Sequence, residues 1–171
     1  MSIGQSLLSE FDYEMASTRT TLERVPDDKL AYKPDPKSMS MGQLAGHIAE
    51  MVGFGAATMA TETISIDHAS HKPYIPANRA QLLAELDKNV AATRAALASA
   101  SDQAMMVPWT LNIDGKPLFT MPRIAVLRTM IMNHVIHHRA QLTVYFRLNG
   151  IPVPPLYGPS ADEGSPAAAS A

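Results

Sequence analysis

The stretch IAVLRTMIMNHVIHHRAQLTVYFRL, residues 124–148, decides how the rest of the chain is read. Ile124, Leu127, Ile131, His134, His138, Gln141, Tyr145 and Leu148 recur in it at alternating spacings of three and four. A continuous helix gathers such positions into one buried stripe. His134 and His138 are four apart, so their imidazoles stack one turn above the other and point inward together. An earlier segment repeats the pattern with Leu44, His47, Met51, Phe54 and Thr58 and supplies a third inward histidine. Three imidazoles facing one core predict a metal site. Zinc, nickel and iron(II) all accept neutral imidazole, and three histidines leave coordination positions open for water or substrate.

Working outward, the same periodicity predicts helices over residues 5–24, 41–61 and 79–97. Leu7, Phe11, Met15, Thr18, Leu22 and Val25 form the apolar face of the first, which Pro26 ends. Ser40 and Gln43 match a capping box at the start of the second. Asn78 to Gln81 resembles another capped start, followed by Leu83, Leu86, Val90, Thr93 and Leu97 on one face. Residues 62–77 mix Ser, Asp, His, Lys and Pro without a sustained period and read as a long loop. Asp114-Gly115 between two short apolar runs is a hairpin signal that Pro117 confines to an edge. Thr120 can cap the last helix, with Pro122 in its first turn. Asn149-Gly150 ends it, and Pro152, Pro154 and Pro155 prevent continuation. The expected fold is all-α, a four-helix bundle with long inter-helix loops and one short β-hairpin.

The 171 residues suit one domain, placed at residues 1–158, with an Ala/Ser/Pro-rich tail at 159–171 whose composition predicts mobility at its end. Fourteen basic against 16 acidic side chains leave a net charge of −2, which offers nothing to nucleic acid or an anionic membrane. Arg123, Arg128, Arg139 and Arg147 share the last helix and read as a solvated face. With no cysteine there is no disulfide, zinc ribbon or thiol nucleophile. The opening MSIGQSLLSEFDYEM lacks the pattern of a secretory signal, so the cytoplasm is the expected compartment. The most apolar window, residues 44–60, carries His47 and Glu50 and falls short of a membrane span.

Other chemistry-bearing residues sort against this frame. The H-E-x-x-H protease motif is absent, because Val135 stands where its general base would be. His137 lies about 100° around the helix from His138 and reads as a flank residue. His68 and His71 fall in the long loop and read as solvated. Glu50 follows His47 by three positions and could orient an imidazole or accept a proton, though it also suits the polar edge of a helix. Asp162 and Glu163 reach the pocket only if the tail folds back. The 11 methionines show no ligand spacing and read as packing material. For the three inward histidines the alternative is a set of core imidazoles bonded to one another or to Gln141.

The run NHVIHHRAQLTVY (133–145), continued by RLNGIPVP (147–154) and LYGPSADE (156–163), with SMSMGQLAGH (38–47) before it, resembles the DinB-like family. The resemblance covers nearly the whole chain. It implies an antiparallel four-helix bundle, commonly a homodimer, with a divalent metal such as nickel or zinc on three histidines, carried over to His47, His134 and His138. Ala140 stands where many relatives have glycine. Relatives with known activities include thiol-dependent transferases and isomerases. The expected function is therefore a metal-dependent enzyme, of hydrolase or thiol-transferase type, acting on a small molecule with water or a low-molecular-weight thiol. A metal- or ligand-binding stress-response protein without turnover is the competing reading.

Overall fold

Serine caps open the first two long helices. The Ser2 hydroxyl accepts from the Gln5 amide at 3.2 Å and starts α1 (Ile3–Leu22). Ser40 accepts from the Gln43 amide at 3.1 Å and starts α2 (Met41–Ala60) as a capping box, as its sequence predicts. Asn78 does the same for α3 (Arg79–Ser99) at 2.9 Å. A short helix, α4 (Asp102–Met106), follows. The last rod consists of α5 (Arg123–Val126), a π-helical turn (Leu127–Met132) and α6 (Asn133–Leu148). It ends as a Schellman turn. Gly150 adopts φ +67°, and the Ile151 amide returns to the Phe146 carbonyl at 3.0 Å. The computed structural model describes residues 2–164 of the 171-residue chain.

α2 packs on α3 and α6, and α1 closes the arrangement against the same two. Leu7 and Phe11 of α1, Leu44 and Ile48 of α2, Leu86 of α3 and Phe146 of α6 are buried between them. Two polar side chains tie α3 to α2. Asn89 donates to the Ala49 carbonyl at 2.9 Å, and Thr93 donates to the Val52 carbonyl at 2.7 Å. Gly46 admits the chain after β1 onto α2, since a Cβ there would lie 2.4 Å from the Tyr74 carbonyl oxygen.

The chain is mostly helical but not all-α. β1 (Thr63–Ile66), β2 (Pro108–Ile113) and β3 (Lys116–Pro122) form a sheet in the order β1-β2-β3. β1 lies within the segment read as loop. It pairs in parallel with β2, Thr63 opposite Thr110, and α3 and α4 supply the long crossover that a parallel pair requires. The hairpin at Asp114-Gly115 forms where its sequence places it. Asp114 and Gly115 take φ values of 49° and 77°, both positive as a type I′ turn demands. Pro117 sits on β3, an edge strand.

Two details of the last rod also depart from its sequence reading. Thr120 is a strand residue, hydrogen-bonded to Thr110 at 2.8 Å, and Pro122 rather than Thr120 occupies the cap position. The rod is not continuously α-helical. The Asn133 amide reaches back five residues to the Arg128 carbonyl, and the Thr129 hydroxyl donates to the Ala125 carbonyl at 2.7 Å, a side-chain bond that accompanies the widened turn. Buried positions there recur at five, with Val126 above Ile131 and Leu127 above Met132. The buried face beyond is therefore rotated. Val135, His138, Arg139, Leu142, Tyr145 and Phe146 face inward, while Gln141 and Leu148 of the expected stripe are exposed.

Arg139 was expected in solvent with Arg123, Arg128 and Arg147, and this is its largest correction. It is 1% exposed and ion-paired at 2.6 Å to Glu14, itself buried on α1. Arg139 also donates to the Glu14 carbonyl at 2.9 Å and to Tyr157, whose hydroxyl donates to Glu14 at 2.8 Å. A buried charge persists only when paired in this way. Arg128 and Arg147 are exposed, as read, and ion-paired to Glu10 and Asp162. The start of the predicted tail is tied down too. Glu163 pairs with Arg24 at 2.6 Å, and Asp162 accepts from the Val153 amide at 2.9 Å. Residues 165–171, the part expected to move, lie outside the described residues.

Candidate metal centre

Capping fixes where α2 begins, and His47 falls in its second turn on the face that meets the last rod. His134 and His138 lie on the first two turns of α6, immediately after the π-helical turn. The two faces bring the three rings together. Ring centroids are 4.5 Å apart for His134 and His138, 4.8 Å for His47 and His138, and 5.3 Å for His47 and His134. One nitrogen from each lies within 4.8 Å of the other two, so the three residues expected as ligands could hold one ion. Tetrahedral coordination at zinc-like bond lengths sets nitrogens roughly 3.3 Å apart, a small adjustment from these positions.

The donor set suits such an ion. Gln141 Oε1 lies 2.7 Å from His138 Nδ1, and an amide oxygen only accepts, so Nδ1 carries the proton and Nε2 presents its lone pair. His134 Nε2 lies 2.7 Å from that same nitrogen. These two contacts are also those of the hydrogen-bonded alternative. That alternative accounts for His134 and His138 but gives His47 no role. His47 is pushed down to about 4, first by burial and then by His138 and His134. His134 is held below the ordinary imidazole value by burial, partly opposed by the Met130 main chain. Burial lowers His138 too, against the raising effect of Gln141. All three are therefore neutral near pH 7, the form a metal requires.

These shifts fix the sign of a pH effect on metal-free protein. The folded state holds its imidazoles neutral at pH values where the unfolded chain, near 6.5, takes up protons. Their contribution to stability is complete above about pH 6.5 and is lost as pH falls toward the His47 value of about 4. Thermal melts of chelated protein should show Tm declining through that window, and His47→Asn should flatten the decline. An unchanged slope in His47→Asn would mean that His47 is not held neutral by burial.

The cluster opens on a cavity of about 180 Å³. Met51, Phe54 and Thr58 of α2 form one side, and Val126, Met130 and Ile131 of the last rod another. The third wall is the sheet, through Ile66, Trp109, Leu111 and Phe119. This wall was invisible to helical periodicity. Trp109 is 2% exposed, and its indole donates to Thr61 at 3.2 Å. Glu50 lines the cavity one turn beyond His47 instead of pointing wholly to solvent. His71, read as solvated, is exposed but lies on the cavity rim, close enough to lower His47. His68 is exposed and bonded at 3.0 Å to Asp114, which raises its pKa, and it has no part in the site. His137 packs beside His138 with centroids 5.0 Å apart and is exposed. Asp162 and Glu163 fold onto Arg147 and Arg24, not into the cavity.

Comparison with known proteins agrees with this architecture. The chain is 26% identical over 163 residues to an uncharacterized protein, YrdA, of Bacillus subtilis (strain 168), covering 91% of this chain and 89% of that protein. A DinB-like protein from Bacillus cereus ATCC 10987 superposes with a TM-score of 0.72 at 25% identity, covering 91% of this chain and 98% of the other. YjoA, a DinB-like protein from Bacillus subtilis, superposes with a TM-score of 0.68 at 22% identity, covering 89% and 97%. The DinB superfamily's sequence model matches residues 10–142, a span that contains all three histidines. The chain therefore belongs to the DinB superfamily.

Proposed function

We propose that this chain is a divalent-metal-dependent enzyme of hydrolase or thiol-transferase type, in which His47, His134 and His138 hold the ion. Its scaffold is read as an antiparallel four-helix bundle, paired as a homodimer in the cytoplasm. The observation that carries the proposal is the convergence of three neutral imidazoles, within 4.8 Å of one another, at one end of an apolar cavity. Nickel or zinc suits an all-imidazole set best, with iron(II) next. Such an ion supplies Lewis acidity and lowers the pKa of a bound water or low-molecular-weight thiol.

The chain's own groups do the rest. Gln141 fixes the tautomer and ring angle of His138. Glu50 and His71 border the cavity and are the nearest side chains able to take up a proton from a water or thiol. The sheet wall with Trp109 keeps bulk water from the reacting groups of a small-molecule substrate. Exposed Val144 and Leu148, one turn apart on the outer face of α6, support pairing through helix faces. The competing reading is metal or ligand binding without turnover, which the same three imidazoles would serve.

Matched metal-loaded and chelated samples test the proposal. Loaded protein should turn over at least one substrate on a panel of esters, amides and thiol-plus-electrophile pairs, and should sediment as a dimer. Chelation should abolish turnover and lower Tm by an amount that grows with the logarithm of free metal over Kd, while the helical circular-dichroism signal at 25 °C persists. Metal binding without turnover on any member of the panel favours the binding protein. Loss of the helical signal on chelation would make the ion a structural staple.

A further inference from the structure

The cavity beside the histidines is walled on three sides by apolar side chains, and no lysine or arginine is among the described residues that line it. Thr58 adds no polarity, because it is 0% exposed and its hydroxyl is closed off from the space. The rod that carries His134 and His138 also carries four arginines, and each is engaged elsewhere. Arg123 donates to the Thr61 carbonyl at 2.7 Å, while Arg128, Arg139 and Arg147 pair with Glu10, Glu14 and Asp162. Lys72, next to His71 on the rim, is exposed and does not line the cavity. The charge that does border it is negative. Glu50, half-buried one turn beyond His47, is the carboxylate among its lining residues.

This lining discriminates by charge. An anion would leave water for walls that offer it no cation, a costly transfer. It would also feel the Glu50 carboxylate, whose Coulomb field reaches over several ångströms without contact. An ion on the histidines draws negative charge to that end alone, and the walls beyond it still suit only an uncharged group. Size sets the second limit. An apolar cavity of about 150 Å³ accepts benzene, and this one has about 180 Å³.

We infer that the cavity receives an uncharged, apolar substrate body of about single-ring size, its reacting group at the histidine end, and that Glu50 disfavours negative charge on that body. The inference rests on the metal-enzyme reading only in calling the occupant a substrate; binding of the apolar body does not require the ion. Where the second reactant is a thiol bearing carboxylates, that reactant stays outside the cavity.

Toluene and benzoate are close in size and differ in charge, so titrating both into chelated full-length protein, by NMR or calorimetry, reads the walls alone. Toluene should bind, and benzoate should bind at least about 100-fold more weakly. Glu50→Gln should strengthen benzoate about tenfold and leave toluene unchanged. Leu111→Trp enlarges a half-buried side chain of the sheet wall, away from the helices that carry the histidines, and should abolish toluene binding while the helical signal persists. Metal-loaded protein should bind toluene as the chelated protein does. A failed metal assignment therefore leaves the pocket result readable, and the reverse holds. No binding of toluene to wild type, benzoate as tight as toluene in chelated protein, no gain in benzoate affinity in Glu50→Gln, or toluene binding retained in folded Leu111→Trp would overturn the inference.

Discussion

Replacing His47, His134 or His138 singly with alanine is expected to cut metal affinity at least about 100-fold, since even groups that only orient a ligand are worth 10- to 100-fold. Protein purified without chelator or a histidine tag should carry close to one divalent transition ion per chain, and each variant only a residue of it. The three rings meet face and edge within 5.3 Å, so no two of them recreate the set once the third is gone. His68→Ala and His71→Ala are the controls. His68 is engaged with Asp114 away from the site, and His71 lies on the rim outside the grouped nitrogens. Equal metal loss in these two, read by elemental analysis, would overturn the assignment.

Arg139→Met should be the most destabilising single change in the chain, at about 3–5 kcal/mol. It removes the guanidinium but leaves Glu14 buried, with only the Tyr157 hydroxyl to offset its charge. For a protein of this length that lowers Tm by roughly 10 °C. Removing both partners is expected to be far milder. Arg139→Met with Glu14→Leu replaces two paired charges by apolar groups of similar volume, an exchange that is often neutral. Thermal melts of the single and double variants decide the matter, and a double variant no better than Arg139→Met would mean that the arginine acts through packing alone.

What could be read in advance follows from the range of each interaction. Helix starts at Ser40 and Asn78, the Asp114-Gly115 turn and the stop at Gly150 are local events, written in residues within four of one another. The three histidines were legible for the same reason, since helical spacing alone aims each one inward. β1 was not. Thr63–Ile66 is only four residues long and gains its partner from a segment 47 residues on, so neither length nor a flanking turn announces it. With the strand went the wall of the cavity, and with the wall the position of Trp109. Arg139 was missed because charge predicts solvent unless a partner is known, and Glu14 lies 125 residues away on another helix. The π-helical turn shifts the buried stripe by one residue without any mark in composition, which is why Gln141 and Leu148 seemed to face inward.

The parallel pairing of β1 with β2 also has a place in time. Helices form from neighbours within a few residues, while Thr63 meets Thr110 only after a loop of 47 residues has closed around α3. The β2–β3 hairpin is local, so within the sheet it is β1 whose pairing waits on that closure. His47 and His134 are 87 residues apart, so the meeting of α2 with α6 asks for a longer closure still. Amide exchange faster at Thr110, whose N–H donates to the Glu62 carbonyl at 3.0 Å, than in the middle of α2 would mark this edge as the less stable unit of the finished molecule.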